Sequence, residues 1–504
     1  MNTASFFQNR SCGHFPCHAG VDPDAFNCLF CYCPLYALGP DCGGDFRYTE
    51  SGAKDCKNCT LLHEGDAGAE IVKAKFGELK KLAAMGSAHD APKGAGTIGA
   101  SKPMPQSPLP SVAYEPVDVP ADWLDDIAAR IAPFDTGACQ RAYDKWNAVA
   151  KPIGSLGALE SDVEQMAGII GTEDVEIPKR ALVVLCADNG VVAQGVSQCG
   201  PEVTRAVATA LGTGTSSACV MAHTANVDVF PVDIGMVDPG LLPTPENQML
   251  YEAGMPLMPD PQPIPGVIDR CVGRGTGDIS YGPAMTRGQA LQAIRVGVDL
   301  VGDLAAQGYG IIATGEMGIG NTTTASSIVS CLVDKPAAEV VGRGAGLSDS
   351  GLANKIRVVE RAVRVNACDP TDPLGVLAGL GGFDIAGMAG MFIGGALHRV
   401  PVVVDGFISA VAAYMATLLC PSCAWAIMGS HVSSELAVSL VLEALAANCQ
   451  AAGVKFAPVI DAGMRLGEGT GAVCLVPLLD AALALYNGTT FDQEGIEAYE
   501  VDPT

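Results

Sequence analysis

IIATGEMGIGNTT, from Ile311 to Thr323, passes from an apolar run into a glycine-rich turn and on into TASSIVSCLV. That succession reads as a strand, a loop and a helix. The theme recurs in ALVVLCADNG (Ala181–Gly190), NVDVFPVDIGM from Asn226 and RVPVVVDGF from Arg399. Between these runs lie stretches of helical length, such as RGQALQAIRVGVDLVGDLAAQG from Arg287. Apolar strands alternating with helices predict an α/β fold: an open, mainly parallel sheet with helices on both faces. In such sheets ligand groups gather at the carboxyl ends of the strands. Here those ends read Asp188-Asn189-Gly190, Gly315-Glu316-Met317 and Asp405-Gly406.

The chain has 504 residues, 49% of them hydrophobic, so a large core is available and wholesale disorder is excluded. A formal net charge of −25 repels phosphate backbones, so no nucleic-acid partner is expected. The segment Gly406–Ser430 carries no Asp, Glu, Lys or Arg, which is long enough to span a bilayer. It contains Pro421, lacks aromatic–basic anchors and is flanked by Asp405 and His431, so a buried helix followed by a buried strand is the better reading. No membrane partner is expected. The opening residues show no basic stretch followed by an apolar run, so the expectation is a cytoplasmic protein. No 20–50-residue repeat is visible.

Eight of the 19 cysteines fall between Cys12 and Cys59, which marks residues 1–66 as a separate module. Residues 67–85 read as a connecting helix, 86–120 as a flexible Gly/Pro/Ser-rich linker, 121–492 as the main domain and 493–504 as a tail. The candidate metal ligands are Cys12, Cys17, Cys28, Cys31, Cys33, Cys42, Cys56 and Cys59, with His14, His18 and His63 competing for places. Cys28/Cys31 and Cys56/Cys59 have the CxxC spacing that lets two thiolates converge on one tetrahedral ion. A disulfide framework fits a chain without a secretory signal less well. Structural zinc is the default, and an iron–sulfur cluster stays open.

Three glycine clusters could hold a phosphate or let a substrate ring approach the backbone. Gly315–Thr323 would present backbone N–H groups at a helix start, beside Asn321 and Thr322; a tight turn packed on the sheet is the alternative. Gly342–Leu347 precedes a helix carrying Lys355, which could meet an anion or simply be a surface lysine. Arg465–Gly471 places Glu468 among glycines at a helix start, as a substrate-facing base or as a partner of the helix dipole. Asp405 could cap the next helix, and Ser433 in GSHVSSE could bind substrate or cap. No GxSxG elbow occurs, which argues against a Ser–His–Asp hydrolase. KPIGSLGALE, from Lys151, reads as loop punctuation leading into a helix.

In chain order, KPIGSLGALE, GEMGIGNTTTAS, GRGAGLSDSGLANK, PVVVDGF, GSHVSSE and RLGEGTGA closely resemble the nicotinate-nucleotide–dimethylbenzimidazole phosphoribosyltransferase family (CobT) over about residues 120–490. The resemblance implies an α/β domain with a smaller helical part built from both ends of the enzyme region, and a homodimer. It implies transfer of phosphoribose from nicotinate mononucleotide to a lower-ligand base, giving an α-ribotide and nicotinate in cobamide assembly. No cofactor is implied for catalysis. Glu468 would be the base and Glu316 a second active-site carboxylate. Gly318, Gly320, Asn321, Thr322, Lys355, Asp405, Gly406 and Ser433 match ribose- and phosphate-side positions, and Leu466 stands with the substrate. Members using dimethylbenzimidazole often carry Ser before the Pro that follows ADHG, and Gln seven residues beyond it. Here those places are Gly200, before Pro201, and Val207 or Ala208, while ADHG reads Ala187-Asp188-Asn189-Gly190. The base could therefore be dimethylbenzimidazole, another benzimidazole, a purine or a phenolic. FNCLFCYCPLY, with HFPCH before it and KDCKNC after it, resembles the cysteine-rich small domain over about residues 5–65. A non-catalytic nucleotide- or metal-binding carrier is the competing reading.

Overall fold

The computed structural model describes residues 118–237, 263–344 and 346–497, together with residues 24, 35, 38, 41–45, 47–48, 54–55, 59–62 and 71–75. The chain divides into two units, residues 1–100 and 101–504. In the first, Arg47–Tyr48 pairs antiparallel with Lys54–Asp55. Leu35, Leu38, Cys42 and Leu62 form a small core, against which Ile71 and Val72 of a helical stretch at 71–75 pack. Cys12, Cys17, Cys28, Cys31, Cys33 and Cys56 lie outside the described residues, as do nearly all of the 86–120 linker and the end of the tail.

The second unit is built on six strands: β1 (Arg180–Ala187), β2 (Asp228–Gly235), β3 (Ile268–Asp269), β4 (Ile311–Met317), β5 (Val402–Val404) and β6 (Ile427–Gly429). Their order is β3-β2-β1-β4-β5-β6, and every pairing is parallel. The chain winds outward from β1 on one side and from β4 on the other. The switch of direction therefore falls between β1 and β4, where a parallel sheet opens a crevice at its carboxyl edge.

The helices that matter for the site are α1 (Thr136–Ala148), α2 (Ala158–Ile170), α3 (Glu202–Gly212), α4 (Ser217–Thr224), α5 (Arg287–Ala306), α6 (Asn321–Leu332), α7 (Asp349–Asn366), α8 (Phe383–His398), α9 (Phe407–Leu419) and α10 (Thr470–Tyr486). Alternation along β1 feeds two cores. Val183 and Leu185 join the core under α5, α8 and α9, whereas Leu182 and Val184 join the one under α1, α2 and α10. The uncharged segment after Asp405 is α9, a 3₁₀ turn at Pro421–Ala426 and β6, all inside the domain. Among the described residues no helix is long and apolar enough to cross a membrane.

The two ends of the enzyme region meet. Val149 bridges Thr490, and the rings of Trp146 on α1 and Tyr486 on α10 lie 4.9 Å apart. In KPIGSLGALE the Lys151 ammonium lies 2.7 Å from Glu160, both buried, and Glu160 also accepts the Leu156 N–H. The motif is a pinned turn that starts α2.

The run GMAGMFIGG, Gly387–Gly395, is helical because α8 crosses α5 at backbone contact. A Cβ on Gly390 would collide with the Ile294 carbonyl oxygen, and one on Gly297 with that of Gly387. Gly390→Ala is expected to cost about 1–3 kcal/mol, read as a lower midpoint in thermal unfolding. An unchanged midpoint would show that the helices separate freely.

Candidate active site

Glu316 closes β4, and the chain then turns through Gly318 and Gly320 into α6. Both glycines are required by close approach. A Cβ on Gly318 would stand 2.6 Å from the Ala187 carbonyl oxygen, and one on Gly320 2.7 Å from Val192; Gly320 also has φ +96°. Asn321 heads α6 and donates its side-chain amide to Glu316 and, at 3.0 Å, to Asp384. Burial and neighbouring carboxylates, Asp384 foremost, push Glu316 up to about 8.

Glu468 arrives from the loop before α10, held at φ +57° between Gly467 (φ +83°) and Gly469 (φ +81°). The loop lies against β4, and Gly469 meets Leu182 of β1: a Cβ on Gly315 would be 2.9 Å from the Glu468 carbonyl oxygen. Burial raises the Glu468 carboxyl above its ordinary value, opposed by the Ala218 N–H at the start of α4. Its Oε2 is buried and has no hydrogen-bond partner. A carboxylate with one oxygen held and the other free, beside a cleft, is suited to taking a proton.

Asp405 ends β5, yet it does not cap the helix beginning at Phe407. Its Oδ1 accepts the N–H groups of Gly471 (2.7 Å) and Ala472 (3.0 Å), and its Oδ2 that of Gly469 (3.2 Å). It is thus the cap of α10, supplied from 64 residues earlier in the chain, and it fixes the Glu468 loop. His431 is buried beside it, with Nδ1 3.1 Å from the Ser430 hydroxyl.

One cleft of ≈ 820 Å³ gathers most of the expected site: Glu316, Gly318, Asn321, Thr322, Asp405, Gly406, Ser433, Leu466 and Glu468. Leu466 is half exposed at its wall. Gly320 and Lys355 line a recess of ≈ 80 Å³ that shares Gly318, Asn321, Thr322 and Arg343 with the cleft. Lys355 is 1% exposed, so it is no surface lysine; α7 packs it under the loop, where it donates to the Thr322 hydroxyl (2.8 Å) and the Gly342 carbonyl (3.3 Å). Burial lowers it to about 8, with the Glu435 carboxylate opposing.

Gly200 and Pro201 are not among the residues lining the cleft; Pro201 caps α3, one turn from Thr204, whose hydroxyl accepts the Ile319 N–H. The Glu202 carboxylate accepts the Gly200 N–H at 3.1 Å and fills the space a side chain at 200 would take. His431, which in GSHVSSE could bind substrate or cap a helix, also lines the cleft, as do Arg343 and Arg465, which carry no role in the sequence beyond their motifs.

A doubly wound α/β enzyme, with a cleft over the carboxyl ends of β4, β5 and β6 that holds several carboxylates and adjoins a recess with a buried lysine, is what this fold and site define. A phosphoribosyltransferase family model matches residues 131–496, and a cysteine-rich small domain matches 3–84. The nicotinate-nucleotide–dimethylbenzimidazole phosphoribosyltransferase of Ruminiclostridium cellulolyticum is 41% identical over 72% of this chain and 94% of its own, and that of Roseiflexus sp. 39% over 74% and 98%. The crystal structure of CobT from Thermus thermophilus superposes with a TM-score of 0.62 at 32% identity, covering 72% of this chain and all of that one. The chain belongs to the nicotinate-nucleotide–dimethylbenzimidazole phosphoribosyltransferase family.

Proposed function

We propose that the protein transfers phosphoribose from nicotinate mononucleotide to a lower-ligand base, giving nicotinate and an α-ribotide for cobamide assembly. The observation that carries this reading is the pairing of Glu468 and Glu316 across one cleft, beside a recess floored by a buried lysine. The base nitrogen forms a bond to C1′ as the C1′–nicotinate bond breaks, and that electron pair neutralises the pyridinium. The leaving group therefore needs no acid. The proton on the incoming base goes to Glu468, while Glu316 faces the positive charge that develops on the ribose. Lys355, Thr322 and the N–H groups opening α6 suit the phosphate.

Base-dependent nicotinate release from nicotinate mononucleotide, followed by chromatography against benzimidazoles, adenine and phenols, tests the transfer and ranks the bases. No release with any base would favour the carrier reading. The pH dependence follows from two groups. Glu316 must be ionised to oppose a cation, so kcat/KM is expected to climb as pH rises through about 8. Lys355 must be protonated to hold phosphate, so kcat/KM falls as pH rises through about 8. A narrow bell centred there is the expected profile; a flat one between about pH 6 and 10 would remove both groups from the reaction.

For the N-terminal module the reading is a structural metal, zinc by default. The Cys42-Gly43-Gly44 turn supports it: Gly43 has φ +79°, and the Gly44 N–H donates to Cys42 Sγ at 3.4 Å, which offsets thiolate charge. A Cβ on Gly44 would meet Cys59 Sγ at 2.6 Å and Cys42 Sγ at 3.8 Å, so two of the expected ligands gather around this turn. Among the described residues no set of three ligands is assembled. The purified protein is expected to be colourless and to carry zinc by elemental analysis; a brown protein would mean iron–sulfur. A homodimer and a cytoplasmic location complete the reading, the former tested by sedimentation.

A further inference from the structure

GGFDIAGMAGMFIGGA, Gly381–Ala396, holds one ionisable side chain, Asp384, and it is 0% exposed. A carboxylate there gains nothing from apolar packing and costs desolvation, so its contacts must account for it. Its Oδ1 accepts the Ile385 N–H at 3.0 Å, and its Oδ2 accepts one proton of the Asn321 amide, also at 3.0 Å. The other proton of that amide goes to Glu316. A Cβ on Gly318 would stand 2.7 Å from Asp384 Oδ2, so the carboxylate lies directly behind the glycine loop. The Asn189 Oδ1 points toward the same corner, buried and without a partner.

We infer that Asp384 is a positioning residue for Glu316, orienting it through Asn321 and deepening the negative potential where the ribose becomes cationic. This rests on the phosphoribosyl-transfer reading. An asparagine that must satisfy two carboxylates has one orientation left, so Glu316 Oε2 is fixed without a cation beside it. Glu316 is faced by Asp384 from α8, Asp405 from β5 and Glu468 from the loop before α10; Asp188 at the end of β1 faces Asp384 in turn. Arg343 and Arg465 line the same cleft as Glu316, and the Lys355 ammonium lies behind Thr322. Burial raises Asp384 to about 6, which leaves it ionised at the pH where transfer is expected.

Two variants separate geometry from charge. Asp384→Asn keeps the volume and the acceptor for Asn321, at the loss of the Ile385 N–H contact, and removes the charge. It is expected to lower kcat about tenfold and to move the rising limb of the pH profile to lower pH, because Glu316 loses a neighbouring anion. Asp384→Ala frees Asn321 as well and should cost about 100-fold in kcat, with KM for nicotinate mononucleotide changed less than about threefold. Loss confined to stability, or an unmoved limb in Asp384→Asn, would overturn the assignment; if the alanine variant does not fold, the asparagine variant decides alone. Infrared titration of the carboxyl band that vanishes in Glu316→Gln gives a readout free of turnover. Its midpoint should fall in Asp384→Asn, and no change there overturns the pairing. A wild-type protein that releases no nicotinate would sink the transfer reading, while this titration still decides whether Asp384 governs Glu316.

Discussion

Glu468→Gln should lower kcat by about 10²–10⁴-fold while leaving KM for nicotinate mononucleotide near its wild-type value. The amide keeps the volume and can still accept from the Ala218 N–H, so the loop survives; only the ability to take a proton is lost. The effect should depend on the acceptor. A base whose ring nitrogen must shed a proton suffers fully, whereas a phenol supplied above its own pKa attacks already ionised and suffers less. Single-turnover measurements with one acceptor of each kind check this. Full turnover in the variant would remove Glu468 from the proton transfer and make Glu316 the next carboxylate to test.

The second large effect is expected at Asp405, far from any conventional capping position. Three buried N–H groups at the head of α10 depend on it, and each donor left without a partner costs about 1–3 kcal/mol. Asp405→Ala should therefore lower the unfolding midpoint by several degrees. Asp405→Asn is the sharper test, because one end of an amide must present hydrogens to N–H groups that already donate. The Glu468 loop then shifts, and a displacement of about 1 Å is enough for a 100-fold loss in kcat. KM for nicotinate mononucleotide should move little. If Asp405 held the ribose hydroxyls instead, the loss would appear in KM, and the capping role would be secondary.

The strand ends and glycine loops were legible in the sequence because each is a local pattern: an apolar run, a turn, a helix start. Those patterns led to Glu316, Asn321 and Glu468, and the cleft brings them together. What escaped depends on distant partners. Nothing around Lys355 separates a surface lysine from one packed under Thr322 and Gly342, since α7 lands there through tertiary contact. Asp405 looked like a cap for its own helix and serves another. Gly390 and Gly394 of α8 have their reason in α5, about 90 residues earlier. Asp384 did leave a signal, a lone charge in an apolar, glycine-rich run, though its meaning needs Asn321 beside it. Gly200 and Pro201 were placed by motif analogy, and α3 sets them outside the lining of the cleft.

The late arrival of α10 has a consequence for how the protein is made. Leu182 and Val184 of β1, deep in the sheet, share a core with Leu475, Val476 and Leu479 of α10, and Gly469 seats directly on Leu182. A chain still on the ribosome can thus assemble all six strands while the sheet face shared with α1 and α2 is still partly uncovered and Glu468 is missing. Synthesis itself keeps the enzyme dormant: the proposed base, Glu468, is delivered just before the helix that completes this face of the sheet. The unfinished chain is sticky before it is active, and the same step ends both conditions.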